Sequence, residues 1–215
     1  MKKYFLVLIL ATFISHAQTY SFDHIILVET YISKSGEEKF TNLSFMNNND
    51  HHYVMFINEK SGVIRDLNSE MIHLFNVPAN SPHNRLYHFE YDYSKKMNKG
   101  TKFKPELYEV LKLNDNEFRI KKFENKRKKN LEYQYTIQLE ESPDDFLYVQ
   151  FEKDIKKNNQ LIDLIRKQLN PNKKYQIKSY QFKTKYREGR AKIKISSELD
   201  LLLELPKHLK MGAGI

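Results

Sequence analysis

The sequence predicts a mainly β fold, a curved antiparallel meander closed into a half-barrel or barrel, with one amphipathic helix near residues 155–169. Three observations predict it. Apolar and polar residues alternate along many short runs, as they do when side chains two apart share one face of a sheet. Turn signals separate these runs at short spacing: Ser35-Gly36, Asn47-Asn48-Asn49-Asp50, Ser61-Gly62, Asn114-Asp115-Asn116 and Glu188-Gly189. Strands joined by short turns pair as antiparallel hairpins. A single segment carries a 3.6-residue period instead.

The chain opens with Lys2 and Lys3, an apolar run from Tyr4 to Ile14, and small residues at Ser15 and Ala17, the three parts of a cleavable export signal. Cleavage after Ala17 leaves a mature chain from residue 18. The apolar run is too short to span a bilayer, which takes about 20 helical residues. No cysteine occurs anywhere, so neither a lipid anchor on cysteine nor a disulfide is available. The mature chain is long enough for a core in one domain, 18–210, followed by a flexible tail, 211–215.

Strands are expected near 20–33, 38–47, 51–59, 62–67, 70–76, 85–94, 107–113, 117–124, 130–140, 145–152, 174–187 and 190–197. The clearest alternation sets Tyr133, Tyr135, Ile137 and Leu139 on one face and Gln134, Thr136 and Gln138 on the other. A second aromatic row runs Tyr87, Phe89, Tyr91, Tyr93. The proline-rich segment 76–82 reads as a loop, because Pro78 and Pro82 cannot donate to a ladder. Within 174–187 the phase changes: Tyr175 and Ile177 share one parity, Tyr180, Phe182, Thr184 and Tyr186 the other. An extra residue near Ser179 reconciles them, as in a β-bulge. From Ile155 to Leu169 the apolar residues gather on one helical face, Asp154 is placed to cap the start, and Pro171 stops the run. Such a stripe packs on a sheet face or plugs a barrel mouth; a membrane-surface role is the other use of it.

The formal net charge is +9, reduced by two when Lys2 and Lys3 leave with the signal. This mixed but basic surface suits anionic glycans or lipid head groups, and export argues against nucleic acid. The densest basic run, Lys121 to Lys129, falls between two strands, and Lys126, Arg127, Lys128 and Lys129 are its candidate contacts to an anionic surface. Histidines 51, 83 and 88 are the candidate centre of a metal-dependent hydrolase, but adjacent His51 and His52 point to opposite faces of a strand and no His-Glu-x-x-His occurs. No Gly-x-Ser-x-Gly elbow or phosphate-binding glycine loop is present, and the paired acids 37–38, 140–141 and 144–145 lie in or beside turns. No catalytic residue, metal site or cofactor is therefore assigned.

The signal ending Ser15-His16-Ala17-Gln18-Thr19-Tyr20, the Tyr- and Lys-rich strands and the ending near Leu203-Glu204-Leu205-Pro206 resemble small exported β-meander proteins of unknown function from Bacteroidota, including the GLPGLI family. The likeness is one of style over the whole chain. It implies an envelope setting and a curved antiparallel sheet and carries over no functional residue; the Gly-Leu-Pro-Gly-Leu-Ile signature itself does not occur. At the level of fold alone the chain is also similar to periplasmic lipoprotein-carrier half-barrels.

The expectation that follows is a non-enzymatic periplasmic or secreted protein. Its aromatic rows, with Tyr87, Phe89, Tyr91, Tyr133, Tyr135, Tyr180 and Phe182 as candidate ligand contacts, would hold a lipid-like or amphipathic ligand, or dock an envelope protein. The alternatives are an envelope structural protein touching anionic surfaces through 121–129, and the metal-dependent hydrolase.

Overall fold

A computed structural model describes residues 18–33, 37–58, 60–77, 88–98, 102–147, 150–152, 154–196 and 199–212. The signal 1–17, the Ser35-Gly36 turn, Pro78 to Tyr87 with His83, and residues 213–215 lie outside the described residues. In chain order the elements are β1 (Thr19–Phe22), β2 (His24–Ser33), β3 (Glu37–Met46), β4 (Tyr53–Ile57), β5 (Ser61–Asp66), β6 (Met71–Asn76), β7 (Glu90–Lys96), a 3-10 turn (Pro105–Leu107), β8 (Tyr108–Asn114), β9 (Glu117–Phe123), β10 (Leu131–Glu141), α1 (Ile155–Arg166), β11 (Tyr175–Thr184), β12 (Glu188–Ser196) and β13 (Leu201–Glu204).

Eleven strands form one antiparallel sheet in the order β7-β6-β5-β4-β3-β2-β12-β11-β10-β9-β8. Each half is a meander of hairpins, as the alternation and turns predict. The halves join where β2 pairs with β12, Val28 opposite Ile193 and Ile26 opposite Ile195. The sheet is open, with β7 and β8 at its edges, so the half-barrel form is found and the closed barrel is not. Its curvature is evident in the middle, where Phe56 of β4 and Tyr135 of β10, at opposite ends of a six-strand span, line one groove.

Two covers sit on opposite faces. Register places Phe118, Ile137, Tyr180, Ala191 and Thr30 on the concave face, since directly paired residues share a face. Over β8 to β11 that face is covered by α1, whose Leu161, Ile162 and Ile165 pack with Phe118, Ile120, Ile137, Leu139 and Ile177. Full burial of each such aliphatic side chain contributes roughly 1.5–3 kcal/mol. Over β3 to β6 the convex face is covered instead by a two-stranded ribbon of β1 and β13: Tyr20, Phe22, Leu203 and Leu205 pack with Phe45, Met55, Ile64 and Phe75.

The helix starts as predicted, with the Asp154 carboxylate accepting the backbone N–H groups of Lys156 at 3.0 Å and Lys157 at 3.3 Å. It ends at Arg166, three residues earlier than the periodicity suggests, in tight turns that satisfy the last carbonyls before Pro171. The bulge is also present. Gln138 pairs with Ser179 and Leu139 with Ile177, leaving Lys178 as the extra residue.

Four local expectations need correction. Segment 20–33 is two strands, because Asp23 breaks the ladder and binds the Asn48 N–H through its carboxylate, freeing β1 to leave the main sheet. Segment 145–152 is no strand among its described residues; Phe146 makes an isolated bridge to Gln176, and Phe146, Leu147 and Phe151 are all buried without the strict alternation of a half-buried strand. The row 87–93 does not hold as one face: Phe75 pairs with Tyr91 and Leu74 with Tyr93, so Asp92 is an extra residue and the two tyrosines part company. The tail, expected to be flexible over 211–215, is tied as far as Gly212, whose N–H donates to the Ser94 carbonyl at 2.8 Å, while the Ser94 N–H donates to the Lys210 carbonyl at 2.8 Å. Its Gly212 lies on the Tyr93 ring, where a Cβ would fall within 2.3 Å of a ring carbon.

Candidate functional site: a concave aromatic groove

The concave face is uncovered between α1 and the β3–β4 side, leaving a half-open groove of about 410 Å³. Its floor is Val28, Thr30 and Ile193; one wall carries Phe40 and Phe56, the other Tyr135, Tyr180 and Phe182. The second wall is built by pairing: Tyr135 stands opposite Phe182, and Ile137 opposite Tyr180. Their rings meet at 5.7 Å for Tyr135–Tyr180 and 6.1 Å for Tyr135–Phe182, with Phe151 set edge-on to Tyr135 at 5.0 Å. Phe182 can lie this close to the sheet because Gly189, its cross-strand partner, has no side chain; a Cβ there would meet the Phe182 ring at 2.8 Å and the Tyr31 carbonyl at 2.2 Å. The bulge at Lys178 keeps Tyr180 and Phe182 on the same concave face as Ile177 and Tyr175.

Polar side chains are spread along the lining: Asn42 and Ser44 on the β3 wall, Thr30 in the floor, Gln150, and Thr184 and Arg187 at the β11–β12 turn, where the Arg187 guanidinium sits 6.0 Å from the centre of the Phe182 ring. Burial pushes the Tyr135 hydroxyl up to about 12, with Tyr180 adding to the shift and Arg187 opposing it. Burial likewise raises Tyr180, against a hydrogen bond with Thr30 and the charge of Arg187. Both phenols are neutral donors across the ordinary pH range.

Of the sequence candidates, Tyr135, Tyr180 and Phe182 are thus brought together in the groove. Tyr133 lies deeper, under α1, where its hydroxyl donates to Glu152 Oε1 at 2.8 Å beside that of Tyr108 at 2.7 Å and the Lys122 ammonium at 2.9 Å. Burial alone would raise the Glu152 carboxyl, but these donors outweigh it and hold it below the ordinary glutamate range. Phe89 and Tyr91 pack in the convex-face core, far in the sheet order from the groove wall of β10 and β11. Tyr87 lies outside the described residues. The groove's other contributors, Val28, Phe40, Phe56 and Arg187, escaped the sequence reading. The strand pattern marks Val28 and Phe56 as inward-facing, but only pairing across the β2–β12 seam shows that they share a surface with Tyr180.

The basic segment forms the β9–β10 turn, with Lys128 in the left-handed region at φ 53°. Lys126 pairs with Glu106 at 3.0 Å and Lys128 with Glu109 at 2.8 Å, while Arg127 and Lys129 form no ion pair among the described residues.

The histidines occupy separate places. His51 lines a second cavity of about 300 Å³ between α1 and β4, with Arg166 and Asp145, which pair at 2.9 Å. His88 is exposed near Glu90 at 3.7 Å, and His83 lies outside the described residues. Among the described residues, no group of three or more His, Cys, Asp or Glu side chains could hold a metal ion. His24 joins Asp23 at 2.6 Å and Asp144 at 3.5 Å and stacks on Phe146.

His73 was not singled out by sequence and is the most enclosed of all. Its Nδ1 is 2.7 Å from Ser94 Oγ, which lies 2.8 Å from the Tyr91 hydroxyl; both His73 and Ser94 have zero exposure. A serine with no access to solvent has no substrate to attack, so the pair serves the core. Burial holds the imidazole below its ordinary 6.5, against a smaller opposing effect of Asp66. The folded state therefore disfavours the proton that the unfolded chain takes up. Stability is full above pH 6.5 and falls as pH drops through the depressed folded value, with a slope of up to about 1.4 kcal/mol per pH unit for each proton. His51, depressed first by burial and then by Arg166, acts in the same direction. Urea titrations above and below pH 6.5 should show the decline, and His73→Asn should flatten part of it. Equal stability of the wild type on both sides would refute this.

Among the described residues no helix is long and apolar enough to cross a membrane. No protein-family model matches the chain, and no curated protein matches it.

Proposed function

We propose that this protein is an exported, non-enzymatic binding protein of the bacterial envelope or its surroundings, holding an apolar or amphipathic small molecule in the concave groove. The observation that carries this reading is the groove itself: aromatic and aliphatic side chains from six successive strands enclose about 410 Å³, with Asn42, Ser44, Gln150, Thr184 and Arg187 as hydrogen-bonding groups among them. Ligand sites are concave, mostly apolar and about 300–1,000 Å³ in size, with a small number of polar groups that set orientation. The lining supplies shape and neutral donors, and its tyrosines are held away from acid–base work near neutrality. Export rests on the N-terminal signal pattern.

The test is occlusion. Val28 forms the middle of the floor, half-buried and directed into the groove. Val28→Trp should lower affinity for a neutral solvatochromic dye by about tenfold or more, since the lost contact area is the binding surface. Far-UV circular dichroism should remain that of the wild type. Dye affinity unchanged in a folded variant would remove the groove as the site, and lipid extraction followed by native mass spectrometry gives an independent readout of any bound molecule.

A further inference from the structure

We infer that the occupant of the groove is a long-chain carboxylate, a fatty acid lying with its chain along the floor and its head group at Arg187. This rests on the groove reading above and adds the chemistry and orientation of the ligand.

At one end Val28, Phe56 and Ile193 line the groove and pack against the buried cluster of Ile26, Met46, Val54 and Phe146, so the floor there is apolar, while Asn42 and Ser44 add polar side chains on the β3 wall. At the other end Ile32 pairs with Gly189 and Gly189 with Phe182, which places the mouth beside the β11–β12 turn. Arg187 is in that turn.

The turn is held firmly. The Thr184 N–H donates to the Arg187 carbonyl at 2.8 Å, and the Arg187 N–H donates to Thr184 Oγ1 at 3.1 Å. The arginine backbone is therefore fixed at the rim, its side chain is exposed, and the guanidinium leans on Phe182. Among the described residues it has no carboxylate partner, and it is the one charged residue in a lining that contains no acid. The Tyr135 hydroxyl, on the same wall, has no hydrogen-bond partner among the described residues either. A groove with an apolar floor and a cation beside its turn end, with a free phenol on the same wall, is complementary to a chain ending in an anion. It is not complementary to a sterol or a cationic amphiphile, and a volume near the lower end of the usual range for ligand pockets favours one chain over two. A planar guanidinium also matches a carboxylate with two parallel hydrogen bonds.

The experiment displaces a neutral solvatochromic dye from the purified protein with three probes of equal chain length: dodecanoate, dodecanol and dodecyltrimethylammonium. Dodecanoate should compete about tenfold better than dodecanol, the gain of a charge-assisted contact at a partly sheltered rim. Arg187→Gln should bring dodecanoate to the level of dodecanol and leave dodecanol unchanged. Added salt should weaken dodecanoate alone, a readout that needs no variant. If dodecanol or the cation competes as well as dodecanoate, or if Arg187→Gln retains the preference, the fatty-acid inference is overturned while the groove reading stands. Failure of the dye and all three probes to bind overturns both.

Discussion

Replacing Phe146 with alanine is expected to destabilise the protein by about 3–5 kcal/mol, the usual cost of emptying a buried aromatic site. Phe146 is 2% exposed and touches both halves of the molecule. It packs against Ile26, Met46 and Val54 of the concave face, stacks on His24 at 4.3 Å between ring centres, and bridges to β11 through Gln176. The segment carrying it is further tied by Asn48, whose side-chain amide donates to Asp144 at 2.8 Å. Loss of the ring leaves a cavity that this braced backbone cannot collapse to fill. It also empties space behind Val28, Phe56 and Ile193, which line the groove and pack on the Phe146 cluster, so the variant should gain affinity for longer chains relative to shorter ones. Urea unfolding measures the first effect and competition with carboxylates of increasing length the second. A stability loss below about 1 kcal/mol would mean that Phe146 does not anchor this part of the core.

Asp66→Ala is the second large effect, expected at about 2–4 kcal/mol from hydrogen bonds to a charged acceptor. Asp66 is 3% exposed, and one oxygen accepts from the Tyr20 hydroxyl at 2.9 Å, the Gln18 amide at 2.7 Å and the Ser69 hydroxyl at 2.8 Å. The other accepts the backbone N–H groups of Asn68 at 2.7 Å and Ser69 at 3.2 Å. The carboxylate thus closes the β5–β6 turn and pins the ribbon strand β1 to it. Alanine would leave the Tyr20 hydroxyl buried without its acceptor. Burial works against the charge of Asp66, but the hydrogen bonds from Ser69 and Tyr20 outweigh it and hold the carboxyl below the ordinary aspartate value of 3.8. That stabilisation is present above pH 3.8 and is lost as pH falls through the lower folded value. The variant should therefore be weaker at neutral pH and show a shallower acid limb in thermal melts; an unchanged melting temperature at neutral pH would refute the role.

The two predictions concern residues of different legibility. Asp66 sits in a turn sequence, Asp66-Leu67-Asn68-Ser69, that announces a reversal of the chain, yet its partner Tyr20 lies 46 residues away and no local rule connects them. The sequence around Phe146 predicts a strand because aromatic residues favour strands, a preference that reflects burial as much as extended pairing. The basic turn 124–130 was legible in position, but not the glutamates 106 and 109 that meet its lysines, since they come from across the neighbouring strand.

Local periodicity determined a great deal. The antiparallel hairpins, the capped helix after Asp154, the bulge beside Ser179 and the inward set Tyr133, Tyr135, Ile137 and Leu139 follow from alternation, turn residues and capping, all of which act over a few residues. Only the tertiary structure decided that the sheet stays open, that β1 leaves it at Asp23 to pair with β13, and that the helix and the ribbon cover opposite faces. It also decided which aromatic residues are core and which line a groove: Tyr133 and Tyr135 share a strand face, but Glu152 and α1 enclose the first while the second faces the uncovered part of the concave face. A period of two states which side of a sheet a residue occupies. What lies against that side is set by segments that no local rule links, such as Glu152, 19 residues from Tyr133, and their meeting depends on the summed burial of the whole molecule.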